Sequence, residues 1–264
     1  MRLTVVGCAG SFPGPTSAAS CYLVQADDAD GRTWNVALDL GSGALGPLQR
    51  LCDPVDLDAV GLSHLHPDHV ADVSGLYVYL KYRPGGPGRG APLPVHGPFG
   101  TASRLAEAYG LEPGESMADH LAVHVWQPGS PVRVGPMTLT PFAVEHPVPA
   151  YGVRVEGPSD ADPEQRVVLA YSGDTDACDG LDRLAAGVDV LLAEAAFVEG
   201  RDDAIRGIHL TGRRAGEAAA SGGAGSLVVT HVPAWNDPGL AAAEAAEVYD
   251  GPIRTAEPGL VVVL

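Results

Sequence analysis

The chain concentrates its chemistry in one hexapeptide, His64-Leu65-His66-Pro67-Asp68-His69, placed directly after the apolar, strand-like run at residues 60–63. Three imidazoles and a carboxylate within six positions would be sent apart by regular helix or strand geometry, and they satisfy their polar atoms most economically around a cation. Imidazole and carboxylate without thiolate suit zinc and tolerate manganese or iron. Six residues do not complete two coordination spheres, so further donors must come from later loops. Three isolated polar residues stand where apolar runs end: His146 after residues 138–144, Asp174 after residues 167–172, and His231 after residues 227–230. A strand end on a rigid scaffold is where a ligand can be held in place. The candidate metal-binding set is therefore His64, His66, Asp68, His69, His146, Asp174 and His231. Taken alone, His231 reads more readily as a satisfied core or surface histidine than as a ligand, and Asp174 could be a turn-former in Ser-Gly-Asp-Thr. The hexapeptide tips both toward metal. His96, His120 and His124 lack this context and are read as non-ligands, and Cys178 lies too far past Asp174 to replace its carboxylate.

The elements that must position these residues are mostly strands. Short apolar, β-branched runs recur at residues 3–6, 22–24, 36–38, 60–62, 123–125, 132–134, 137–144, 152–155, 167–171, 188–193, 227–230 and 260–264. Helical patterns fall at residues 70–82, 100–109, 211–221 and 238–249, the last two with Thr211 and Asp237 as N-caps. This order predicts a layered α/β architecture: two packed sheets with helices on their outer faces and every proposed donor at a strand end. Residues 83–94 are too rich in Gly and Pro for regular structure and read as a surface connection, with a flap near the metals as the sharper alternative.

A chain of 264 residues can bury one sizeable core, and a single domain spanning 1–264 is expected. The 33 acidic against 16 basic residues give a net charge of -17, and Lys81 is the only lysine. Such a chain repels polyanions and carries no basic stripe, which argues against general nucleic-acid binding. Cys8, Cys21, Cys52 and Cys178 show no C-x-x-C spacing and are expected as buried free thiols in a reducing cytosol. The chain starts directly in a strand pattern and has no bilayer-length apolar run, so a soluble cytoplasmic protein without a membrane partner is expected.

With the donors assembled, the chain resembles the metallo-β-lactamase fold superfamily. That resemblance implies an αβ/βα four-layer sandwich of two mixed β-sheets flanked by helices, with a site for two divalent metal ions, zinc foremost, between the sheet edges. It implies that His64, His66 and His146 hold one ion, that Asp68, His69 and His231 hold the other, and that Asp174 bridges them. Asp39, in Leu-Asp-Leu-Gly-Ser-Gly, matches the acidic residue that supports the site from behind by fixing imidazole tautomer and orientation.

A finer resemblance comes from Glu194-Ala195-Ala196-Phe197, from Ile208-His209-Leu210-Thr211 opening an Ala-rich helix, and from Leu227-Val228-Val229-Thr230-His231. With Gly7-Cys8-Ala9-Gly10-Ser11, Ser20-Cys21-Tyr22-Leu23-Val24 and Gly97-Pro98-Phe99-Gly100, this series is similar to the ribonuclease Z and cyclic-nucleotide phosphodiesterase branch. The branch implies that Asp68, His209 and Glu194 are catalytic. Two metals would activate water and offset phosphate charge, and His209, its pKa raised by Glu194, would protonate the alkoxide leaving group. The plainer alternative is that His209 caps a helix and Glu194 pairs with an arginine.

One departure matters. Ribonuclease Z enzymes carry a long, partly basic arm between the third histidine donor and the bridging Asp. Here residues 146–174 leave room only for a hairpin, whose loop carries Glu156, Asp160, Asp162 and Glu164. A large RNA substrate would have no electrostatic grip, and a small phosphodiester such as 3',5'-cyclic AMP is expected. Trp235, four residues after His231, is a candidate to stack on a purine, with loop packing or a dimer contact as plainer readings. The competing functions are an RNA 3'-end nuclease, a hydrolase of lactones, thioesters or β-lactams, and a metal-bound scaffold without turnover. A homodimer through the apolar face of residues 70–82 is also an expectation, and burial in the monomer core explains that face equally well.

Overall fold

Two seven-stranded sheets face one another across a shared core. In this computed structural model, which describes residues 1–84 and 90–264, the first sheet runs in the order Val261–Val263, Arg2–Gly7, Cys21–Asp27, Thr33–Leu38, Ala59–Gly61, Leu93–Gly97 and Leu121–Val125. The second runs Ile253–Thr255, Leu227–Thr230, Val190–Glu194, Arg166–Tyr171, Ala150–Pro158, Met137–Val144 and Val132–Val134. Both are mixed. In the first, parallel pairing begins at Val36↔Ala59, and in the second at Leu169↔Val190.

The central strands are buried on both faces, and their alternation divides them between two cores. Along Cys21–Asp27, Tyr22, Val24 and Ala26 face the core between the sheets, while Cys21 and Leu23 face the core under the helices. From the second sheet, Val153, Val155, Leu169, Tyr171, Leu192 and Val228 meet the inner face of the first. The two outer cores are closed by Val73, Leu76, Tyr77, Leu80 and Leu105 on one side and by Leu181, Leu184, Ala215, Ala219, Ala241 and Ala245 on the other. The result is the four-layer αβ/βα sandwich that the sequence predicts. Full burial of each large aliphatic side chain contributes about 1.5–3 kcal/mol before conformational entropy is subtracted.

Several elements differ from the sequence reading. The helix expected over 70–82 is two helices, Pro67–Val70 and Val73–Tyr82, because Asp72 turns its carboxylate to the backbone N–H groups of Gly43 and Leu45 instead of continuing the first helix. Its apolar residues Leu76, Tyr77 and Leu80 are consumed by the outer core, leaving Val78 and Tyr82 exposed. The Gly/Pro-rich connection is shorter than expected, since Leu93 and Pro94 belong to the strand Leu93–Gly97. Pro94 pairs with Ala122 on one side and falls just before the ladder to Ala59–Gly61 starts at Val60↔Val95 on the other. Residues 85–89 of that connection lie outside the described residues. Thr211 and Asp237 cap the helices Gly212–Gly222 and Pro238–Ala246 as expected, accepting from the N–H groups of Arg214 and Gly239. Only Cys8 and Cys21 are buried thiols, and Cys52 and Cys178 are half-buried.

The segment between His146 and Asp174 is spent on the sheet. Ala150–Pro158 and Arg166–Tyr171 pair antiparallel from Val153↔Tyr171 to Pro158↔Arg166, and a short turn closes with Ser159 N–H on the Gln165 carbonyl. No arm leaves the body between these two residues. Among the described residues, no helix is long and apolar enough to cross a membrane.

Candidate metal centre

The site lies along the edge where the parallel strands of both sheets end. Asp39 follows Thr33–Leu38, the hexapeptide follows Ala59–Gly61, His146 follows Met137–Val144, Asp174 follows Arg166–Tyr171, and Glu194 closes Val190–Glu194. His231 sits between Leu227–Thr230 and the two-residue strand Val232–Pro233, which pairs in parallel with Ala9–Gly10.

Pro67 explains how six residues serve two places. His64 and His66 precede the helix, His66 in extended conformation, and Pro67 then starts the short helix Pro67–Val70, whose first turn carries Asp68 and His69. The helix presses on the loop after Asp39: a Cβ at Gly41 would meet the Asp68 carbonyl oxygen at 1.9 Å, so only glycine fits. Gly173, with φ of 59°, is the second such position, since a Cβ there would sit 2.8 Å from the Tyr151 carbonyl oxygen.

All seven predicted donors converge. The donor atoms of His64, His66 and His146 form one group and those of Asp68, His69, Asp174 and His231 another, each with its atoms within 4.8 Å of one another. His64 Nε2 and His146 Nε2 lie 3.0 and 3.3 Å from His66 Nδ1. Asp174 stands between the groups: its Oδ2 is 3.7 Å from His64 Nε2 and 3.2 Å from His231 Nε2, and its Oδ1 is 3.3 Å from His69 Nε2. A carboxylate so placed can serve both.

The remote imidazole nitrogens are already committed, which fixes the tautomers. His69 Nδ1 donates to Asp39 Oδ2 at 2.7 Å, His231 Nδ1 lies 2.9 Å from Ser20 Oγ, and His146 Nδ1 donates to the Ile208 carbonyl at 2.8 Å. Ser63 Oγ donates to Asp39 and is 3.1 Å from His64 Nδ1. Asp39 also accepts from Ser63 N–H and from the Tyr171 hydroxyl at 2.7 Å. Asp39 therefore lies directly behind the donors, with its backbone in the left-handed region at φ of 58°.

The donor atoms fit cations. His69 Nε2, Asp174 Oδ1 and His231 Nε2 are buried without a hydrogen-bond partner, although such atoms are otherwise satisfied in folded proteins. Burial holds the His64, His66 and His146 imidazoles below their ordinary range, keeping them neutral as ligands must be. Burial also opposes charge on His69, but Asp174 and Asp39 outweigh it and raise that group. Burial likewise disfavours the Asp68 and Asp174 anions, yet the surrounding histidines win and lower both carboxyls. The centre thus favours positive charge between two carboxylates, and these His/Asp clusters suit divalent metals.

A third group, Asp174, Glu194 and His209, adjoins the donors. His209 Nδ1 lies 2.8 Å from Glu194 Oε1, and Glu194 is held by the N–H groups of Thr175 and Ala196 at 2.9 and 3.0 Å. Burial disfavours the imidazolium, but Glu194 outweighs it and raises His209 to about 9. Glu194 therefore pairs with His209 and not with an arginine. The cap on Gly212–Gly222 is Thr211, which frees His209 from that role as well.

The remaining histidines stay apart. His96 stacks on His124 and Trp126, and His120 packs against Tyr77. Trp235 is 65% exposed and its ring contacts Phe12 at 4.9 Å. Phe12 N–H bonds the carbonyl of Gly10, whose backbone lies against His231, so the aromatic pair sits on the loops beside that donor. Sequence reasoning did not single out Ser20, Ser63, Tyr171, the Ile208 carbonyl, Thr175 or Asp176. Ser20, Thr175 and Ile208 stand inside strings already marked and Ser63 adjoins the hexapeptide, but nothing local signalled their roles.

Comparison with known proteins agrees with this geometry. A family model described as a beta-lactamase superfamily domain matches residues 35–232. A Mycobacterium tuberculosis protein described as uncharacterized is 41% identical over 256 residues, covering 96% of this chain and 89% of the relative. The Bacillus subtilis protein YhfI, described as a probable metallo-hydrolase, is 31% identical over 262 residues, covering 99% of each chain. The crystal structure of YhfI superposes with a TM-score of 0.83 at 29% identity, covering 99% of this chain and 98% of that one. A ribonuclease Z of Mycobacterium bovis is 31% identical, covering 89% of this chain and 87% of the relative.

Proposed function

Since the chain belongs to the beta-lactamase superfamily and, within it, to the ribonuclease Z-like branch of metallo-hydrolases, we propose that it is a phosphodiesterase of small diesters such as 3',5'-cyclic AMP. The observation that carries this reading is the His209–Glu194 pair beside the metal donors. A thioester releases a thiolate that leaves without a proton, whereas a nucleotide diester expels an alkoxide that needs one.

His64, His66 and His146 would hold one divalent ion, Asp68, His69 and His231 the other, and Asp174 would join them. Two such ions, zinc being the metal this donor set suits best, supply Lewis acidity toward the phosphoryl oxygens and toward water. The residues of the chain do the rest. Asp39, Ser20, Ser63 and the Ile208 carbonyl fix the imidazoles so that each presents its lone pair to the centre. With Nδ1 committed to Glu194, His209 carries its transferable proton on Nε2. As water adds to phosphorus and the P–O bond to the sugar breaks, that proton passes to the departing oxygen. Glu194 stabilises the imidazolium beforehand and returns to pairing with a neutral ring afterwards.

Preference for a small diester is supported by the compact, acidic hairpin between His146 and Asp174 and by the net charge of -17. Trp235 and Phe12 offer an exposed aromatic platform at the rim on which a base could stack. The test is turnover of metal-loaded protein on cyclic AMP beside a 3'-extended precursor transfer RNA, with Asp174→Ala as control. Cyclic AMP hydrolysis that vanishes in the control supports the reading. Selective RNA cleavage would replace it with a ribonuclease Z-like one, and inactivity on both would bring the acyl esters forward.

A further inference from the structure

The loop between Val190–Glu194 and the helix Gly212–Gly222 supplies two groups to the site: the Ile208 carbonyl, which orients His146, and His209 itself. Three of its residues, Arg206, Gly207 and Ile208, are only partly buried or exposed, so packing alone does not fix this stretch. Its anchor is Asp176, a carboxylate 1% exposed that neither the donor set nor the acid pair uses. Asp176 Oδ2 accepts from Arg206 Nε at 2.6 Å and from Gly207 N–H at 2.8 Å. Its Oδ1 accepts from Ala177 N–H at 2.7 Å and from Arg206 Nη2 and the buried Arg214 Nη1, both at 3.3 Å. The Asp176 N–H in turn donates to the Glu145 carbonyl at 2.9 Å, beside His146.

The tripeptide Asp174-Thr175-Asp176 therefore reaches three places at once. Asp174 faces both donor groups, Thr175 N–H holds Glu194, and Asp176 holds the residues leading into His209. We infer that Asp176 is a positioning residue, clamping the 206–209 loop so that His209 meets Glu194 and the departing oxygen in register. The inference rests on the reading that His209 protonates an alkoxide. A purely structural role, neutralising Arg214 in the interior, would make the opposite prediction: damage without regard to leaving group.

Asp176→Asn distinguishes the two. The amide keeps one acceptor and turns an NH2 donor toward either Gly207 N–H or the arginines, which loosens the loop while preserving volume. The substrates are cyclic AMP, which expels an alkoxide, and bis(p-nitrophenyl) phosphate, whose nitrophenolate leaves without a proton. In Asp176→Asn the kcat on cyclic AMP falls at least about tenfold, as befits a displaced general acid, while kcat on the nitrophenyl diester stays within about twofold. Both rates are read at saturating metal, because the loop also carries the Ile208 carbonyl behind His146, and amide hydrogen exchange over residues 200–209 rises. Arg206→Ala, at an exposed side chain, repeats the pattern more weakly and covers the case in which Asp176→Asn does not fold. Equal losses on both diesters, or unchanged exchange over residues 200–209, would overturn the clamp. If the wild-type protein hydrolyses neither diester, the phosphodiesterase reading fails by itself, and the exchange comparison still decides the clamp.

Discussion

Asp39 Oδ2 lies 2.7 Å from His69 Nδ1, and the same oxygen accepts from the Ser63 and Tyr171 hydroxyls at 2.7 Å each. One carboxylate oxygen thus ties the loop before the hexapeptide, the hexapeptide itself and the opposite sheet to a single imidazole orientation. Asp39→Asn is expected to weaken metal affinity about 10- to 100-fold, the usual cost of losing a group behind a metal-bound histidine. Titration against a competing chelator reads the loss directly, and wild-type affinity in the variant would remove Asp39 from this role.

The raised pKa of His209 sets a pH dependence. The group is protonated below its pKa, so a rate that needs its proton declines as pH climbs through that value. In the metal-free protein the value is about 9. Bound cations lower it by repulsion, and Glu194→Gln lowers it further by removing the pairing carboxylate. The descending limb of kcat on cyclic AMP therefore moves to lower pH in Glu194→Gln. A limb that stays in place would assign the proton to another group.

Removal of metal should register in stability. Ions that bind only the folded chain stabilise it by an amount that grows with the logarithm of their concentration over Kd. A strong chelator is expected to lower the melting temperature of the wild-type protein by several degrees, given about 2–4 °C per kcal/mol at this size. Asp174→Ala, which lacks the shared carboxylate, responds to the chelator far less. Identical chelator shifts in both proteins would argue against Asp174 as the shared donor.

Trp235→Ala separates base stacking from loop packing. Stacking on one aromatic contributes about 1–3 kcal/mol, so KM for cyclic AMP rises about fivefold or more with kcat nearly constant. The nitrophenyl diester, which carries no nucleobase at that position, serves as the reference substrate. Parallel changes on both substrates would mean that Trp235 and Phe12 only close the loop.

Sequence carried the donor set because its core is local: Pro67 bends six adjacent residues into two directions, and each later donor follows an apolar run that reads as a strand. What holds those donors was hidden. Tyr171 reaches Asp39 from the other sheet, and the Ile208 carbonyl reaches His146 from 62 residues away, contacts that exist only once the layers are stacked. The helix Asp179–Ala185 was also missed, since its N-cap Cys178 makes no side-chain cap bond and offers no start signal. Nothing in the sequence marks Asp176, because its partner Arg214 becomes buried beside it only in the folded chain.

The first sheet closes by pairing Arg2–Gly7 with Val261–Val263, and His231 is steadied by Val232–Pro233 on Ala9–Gly10. These pairings join segments far apart in sequence, so during synthesis Arg2–Gly7 waits for Val261–Val263 before that edge is covered. Contacts of such sequence separation are slow to form. The hexapeptide emerges early with four of its side chains in hand, but the histidine that completes its second group is made more than halfway later and locked last. The second donor group is complete only once the His231 segment has formed, and metal loading is expected to follow folding.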